Sequence, residues 1–164
     1  EHFPLPPGAR LGIITAEPSL GAALRERVPG ARVLHVPAWP SSAQRAHLRR
    51  RARRLALGSD VVVVGMINSR QLELVTLAAA TGRPVVLVSM GLPYLAERAT
   101  AARAVLATYS YQPTATQAAA AALLGEIGTP GRLPVGLGRL SFGHGLEAPR
   151  REQASAPGAA GARP

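Results

Sequence analysis

The side chains able to do chemistry in this sequence are few and widely separated. Asp60 is the single aspartate, the four histidines are His2, His35, His47 and His144, and there is no cysteine. A Ser-His-Asp relay built on Ser89 or Ser110 would need a GxSxG elbow, and neither serine lies in one. Metal ligation needs at least three converging groups, and the histidine spacings match neither HExxH nor a His-carboxylate facial set. His35 reads as a partly buried strand residue and His47 as a helix-surface residue. No GxGxxG or GxxxxGK[ST] follows any apolar run, so the usual phosphate cradles are absent. No metal and no cofactor is therefore expected. Two carboxylates about 5–10 Å apart would suit glycosidic bond cleavage. Glu17 and Glu97 are the pair placed to reach one rim, although each also reads as a helix-start dipole partner or a surface charge.

Charge is the other chemical signal. The formal net charge is +10, and all 19 basic residues are arginine, with no lysine. Six of the arginines fall within residues 45–54, where Arg50, Arg53 and Arg54 oppose a Leu48, Ala52, Leu55 stripe and Arg45, Arg49 and Arg51 flank it. Such a face can track phosphates, or it can be a solvated helix whose long side chains snorkel along a sheet edge. The second reading is favoured because no aromatic groups or glycine-rich loop accompany the arginines. The lack of lysine, in a chain that uses Ala, Gly and Pro heavily, looks more like compositional bias than a nucleic-acid footprint.

The elements that must position these groups follow from the apolar pattern. Residues 61–64 and 85–88 are apolar at every position and flank one amphipathic segment, which is the pattern of a right-handed βαβ unit buried on both faces. Further strands are expected at 11–15, 32–36 and 105–109, with a final edge strand at 132–135. Pro18 and Ser19 open a helix to about 28, and Ser41 or Ser42 caps one that stops at Gly58. Asn68 and Gln71 make an imperfect capping box for a helix that turns Leu72, Val75 and Ala79 to the sheet. Pro113 and Thr114 start the Ala-rich helix over 117–126. The fold class is thus α/β: a three-layer sandwich with a mostly parallel five- or six-stranded sheet, flavodoxin-like, with helices on both faces. Residues 1–9 read as a linker, 10–146 as the domain and 147–164 as a disordered tail. In such a sheet, ligands lie past the carboxyl ends of the strands, where Asn68, Arg70, Tyr94, Tyr109 and Tyr111 supply polar and stacking groups. No apolar run reaches the ~20 residues that span a bilayer, and no leader follows Glu1, so no membrane partner is expected and the compartment stays open, with the cytoplasm slightly favoured.

Several motifs occur in one order across 69–135. They are Ala80-Thr81-Gly82-Arg83-Pro84-Val85-Val86, Leu92-Pro93-Tyr94, Thr108-Tyr109-Ser110, and Leu124-Gly125-Glu126 with Gly131-Arg132-Leu133-Pro134-Val135. Phe142-Gly143-His144-Gly145-Leu146 closes the series. Together they resemble the C-terminal domain of glycoside hydrolase family 3, in its bacterial β-N-acetylglucosaminidase and β-glucosidase-related branch. The resemblance implies an accessory domain that supports an N-terminal barrel, in cis or as a separate chain, with that barrel supplying the nucleophile and most sugar contacts. A barrel of about 250 residues does not fit in this chain. The β-glucosidase branch carries its acid/base Glu on a long insertion after the third strand, but here only Met66-Ile67-Asn68 separates Gly65 from the next helix. The N-acetylglucosaminidase branch keeps that group on the barrel. No catalytic residue carries over, and Asn68, Arg70, Tyr94 and Tyr109 are expected to wall the sugar site by position. A chain beginning at Glu1 with a proline-rich lead-in fits a cut in an interdomain linker. The alternative is a stand-alone flavodoxin-like module that binds a ligand or a protein without catalysis.

Overall fold

The computed structural model describes residues 4–151. His2 and the 152–164 part of the expected tail lie outside the described residues. Strands β1 (Leu11–Thr15), β2 (Arg32–His35), β3 (Val61–Met66), β4 (Val85–Ser89) and β5 (Ala104–Ala107) form one sheet in the order β2-β1-β3-β4-β5. Every pairing is parallel. Helices α1 (Pro18–Arg27) and α4 (Pro113–Leu124) cover one face, and α2 (Ser42–Leu57) and α3 (Leu72–Ala79) cover the other. This is the flavodoxin-like three-layer arrangement.

The uninterrupted apolar strands are explained by those two layers. Val62, Val64 and Leu87 join Leu48, Ala52 and Leu55 of α2 in one core, while Val61, Val63, Val86 and Val88 join Leu20, Leu24 and Leu123 in the other. Because side chains alternate across a strand, both faces need an apolar residue at every step. α4 meets α1 through its alanines, and Ala119 and Ala120 are fully enclosed there. Gly125 ends α4 in the left-handed conformation at φ +78°, which a side chain would strain. Ser41 and Gln44 make a reciprocal capping box on α2.

Two expectations are corrected, and both ends of the described chain make specific contacts. Residues 132–135 form no strand: Pro134 has no N–H to donate, and Leu133 instead donates to His144 O at 2.8 Å inside a closed loop. The described sheet therefore has five strands, with β5 at its edge. The buried residues of α3 are Leu74, Val75 and Ala78 rather than Leu72, Val75 and Ala79. A 3-10 turn over Ser69–Gln71 precedes α3, and Leu72 and Ala79, at the two ends of this short helix, pack only partly buried against the same core. At the lead-in, Leu5 is buried and its N–H donates to Leu123 O at 2.8 Å. Residues 147–151 are also held: Ala148 N–H donates to Thr129 Oγ1 at 2.9 Å, and Arg151 N–H donates to Gly125 O at 2.8 Å. The Arg151 guanidinium donates to the carbonyls of Pro4 and Leu5, so both ends of the described chain meet beside α4. No helix among the described residues is long and apolar enough to cross a membrane.

Candidate functional site

The strand order reverses between β1 and β3, and the crevice beyond their carboxyl ends is where doubly wound folds hold ligands. Here side-chain amides tie the bordering loops together. The Gln71 side chain is buried, its Oε1 accepting from Ile67 N at 3.2 Å and Asn68 N at 3.0 Å. Gln71 Nε2 and Asn68 Nδ2 both donate to Ala38 O, at 3.2 and 3.1 Å. The loop after β3 is thereby stitched to the loop after β2. On the other side Gly91 lies so close to Ile67 that a Cβ would sit 2.7 Å from that carbonyl oxygen. The loop after β1 closes on itself, since the buried Thr15 Oγ1 donates to Glu17 O and accepts from Glu17 N, both at 3.0 Å.

The four residues expected to form a wall divide into two groups. Asn68 starts the Ser69–Gln71 turn, with Oδ1 accepting from Arg70 N at 2.9 Å. Arg70 lies over the Trp39 ring, 5.9 Å from its centroid, and lines a cleft beside α2. Tyr94 belongs to a second 3-10 helix, Pro93–Arg98, that follows β4, and Tyr109 follows β5. Neither tyrosine lines the Arg70 cleft. Tyr109 has φ +55°, the left-handed region, in a turn that Thr108 Oγ1 braces by donating to Ser110 O at 2.9 Å. Partial burial pushes its phenol pKa above the ordinary value.

Sequence reasoning named Arg70 and placed Arg45 and Arg49 beside a helix stripe, but it did not single out Trp39 or Leu92 as site residues. All three tyrosines and the single tryptophan fall on loops that follow strands, and with Leu92 they are 43% to 69% exposed. In a chain with so few aromatic residues, gathering them at one end of the sheet and leaving them in water marks that edge as a contact surface. The signal available in advance was Trp39, alone between two prolines at the end of β2.

The carboxylates are engaged elsewhere. Glu17 caps α1 by accepting from Ser19 N at 3.1 Å, and Glu97 packs against Gly138. Glu73 pairs with Arg49 at 2.9 Å, Glu126 with Arg27 at 3.0 Å, and Glu147 with Arg132. Asp60, at the opposite end of the sheet, pairs with Arg10. Among the described residues no three His, Asp or Glu side chains are grouped to hold a metal ion. What this end of the sheet offers among the described residues is exposed aromatic and hydrogen-bonding side chains.

No family model matches the chain, and no curated protein matches it in sequence. Solved structures do match. A fungal multi-domain family 3 β-N-acetylglucosaminidase, described as having a GCN5-related glucosamine N-acetyltransferase region, aligns with TM-score 0.67 and 22% identity over 96% of this chain and 18% of its own. The chain shares its fold with part of family 3 glycoside hydrolases. A family 3 β-N-acetylglucosaminidase from Paenibacillus aligns with TM-score 0.61 and 20% identity, covering 77% of this chain and 27% of that one. A β-glucosidase from Erythrobacter marinus gives TM-score 0.62 and 18% identity, with coverage of 88% and 32%. The chain thus spans a third or less of each of these proteins.

Proposed function

We propose that this chain is the accessory C-terminal domain of a β-N-acetylglucosaminidase-like or β-glucosidase-like hydrolase acting on terminal β-linked sugars. A barrel, in cis or as a separate chain, carries the reacting groups. The observation that carries this reading is the asymmetry of the fold matches: most of this chain aligns onto a minor part of each larger enzyme. The engagement of Glu17 in a cap and of Glu73 and Glu126 in ion pairs agrees with a supporting role. The exposed aromatic edge supplies what a docking surface needs, with Tyr94 and Tyr109 as wall residues facing the sugar site and Asn68 holding the adjacent loop. Arg70 is the fourth wall residue.

The test is to assay the isolated chain on aryl β-N-acetylglucosaminides and β-glucosides, then with the barrel encoded in frame upstream or in a neighbouring gene. We expect no turnover alone and turnover with the barrel. Activity of the isolated chain, or the absence of any such barrel, overturns the proposal.

A further inference from the structure

A cleft of about 160 Å³ opens between α2 and α3, beyond the end of β2. Arg45 and Arg49 reach it from α2, Ser69 and Arg70 from the turn before α3, and Glu73 from α3 itself, over the buried Leu48. Three guanidinium groups therefore share one carboxylate, which Arg49 already holds at 2.9 Å. Two positive charges are left uncompensated. Arg70 is positioned by the Trp39 ring, which fixes a guanidinium without neutralising it. Arg45 stands in the first turn of α2, where the helix dipole disfavours a cation, and that turn contains no acidic residue. None of the carboxylates in the described ion pairs is paired with Arg45. A sequence that places unpaired cations from two elements against an unfavourable dipole is locally in conflict, and a bound anion resolves that conflict.

We propose that this cleft binds a phosphate oxyanion, either free phosphate or a small phosphate monoester. A dianion matches the two uncompensated charges, arginine forks suit phosphate geometry, and the Ser69 hydroxyl adds a donor. The cleft is too small for a nucleic-acid backbone. Arg70 belongs to both readings, but phosphate binding by the isolated chain does not depend on the glycosidase reading.

Calorimetric titration of the chain with inorganic phosphate and with phenyl phosphate, at about 0.15 M salt where diffuse surface attraction is screened, tests it. Saturable binding is expected. The double variant Arg45→Gln/Arg70→Gln should weaken it by about tenfold or more, whereas Arg53→Gln/Arg54→Gln on exposed positions outside the cleft should change it less than about twofold. All four side chains are exposed, so melting temperatures without ligand should stay close to that of the parent chain. Tighter binding of phenyl phosphate identifies a monoester site, and tighter inorganic phosphate a free-anion site. Equal losses in both double variants, or no saturation with either probe, overturns the proposal. So does tight binding of a duplex oligonucleotide that depends on Arg53 and Arg54, which would reassign the face to nucleic acid.

Discussion

Asp60 grips Arg10 at both ends. Its Oδ2 accepts the Arg10 backbone N–H at 2.9 Å, and its Oδ1 accepts the guanidinium at 2.6 Å, tying the start of β3 to the start of β1. These hydrogen bonds to the charged form lower the Asp60 pKa from 3.8 to about 2.

A carboxylate with a depressed folded-state pKa stabilises the fold above its unfolded value and loses that contribution as pH falls through the folded one. Asp60→Asn should therefore melt at a lower temperature than the parent at neutral pH. The gap should shrink as pH falls from about 4 to about 2. The pair is exposed, so added salt should narrow the same gap. Thermal melts from pH 2 to pH 7 at two salt concentrations measure both effects, and a gap that ignores pH would assign the role of Asp60 to shape alone.

Gly91→Ala should destabilise the domain by about 1–3 kcal/mol, because the new methyl meets the rigid backbone carbonyl of Ile67. Gly30→Ala is the control: nothing lies within 4 Å of its added Cβ, so it should be neutral or slightly stabilising. Urea unfolding of the two variants reads the contrast directly.

Gln71→Leu keeps the volume of a buried side chain and removes its hydrogen bonds to Ile67, Asn68 and Ala38. Two backbone N–H groups lose their acceptor, so a loss of about 2 kcal/mol is expected in denaturant melts. Faster amide exchange should be confined to residues 67 and 68. A variant as stable as the parent would mean that water enters the crevice and replaces the amide.

The central strands were legible in the sequence because a strand covered on both faces admits no polar position, and residues 61–64 and 85–88 obey that rule. The caps at Ser41 and Asn68 were legible for the same local reason: the side chain and the N–H it satisfies are three residues apart or fewer. What was not legible depended on distant fit. Leu5 looks like linker because prolines surround it, and only the end of α4 buries it. The 3-10 winding at Ser69–Gln71 leaves no compositional mark, and α3 is short enough that Leu72 and Ala79 at its ends are only partly covered. Arg45, Arg49 and Arg70 meet in one cleft although they come from two segments, so helix periodicity placed the first two and said nothing about the third.

Tyr109 is the one described non-glycine residue held at positive φ, a conformation that costs a side-chain-bearing residue about 1 kcal/mol or more. Such a cost persists where surrounding contacts over-determine the backbone, and here Thr108 N–H donates to Ser89 O at 2.9 Å while Ser110 Oγ accepts from Gln112 N at 3.1 Å. Glycine would fit that turn without strain. Tyr109→Gly should accordingly be about 1 kcal/mol more stable than Tyr109→Ala, which loses the ring but keeps the strain. If the aromatic edge docks on a barrel, both variants should remain folded and both should associate with it more weakly. Equal stability of the two variants, measured by urea unfolding, would remove the strain argument, and unchanged association would remove the ring from the interface.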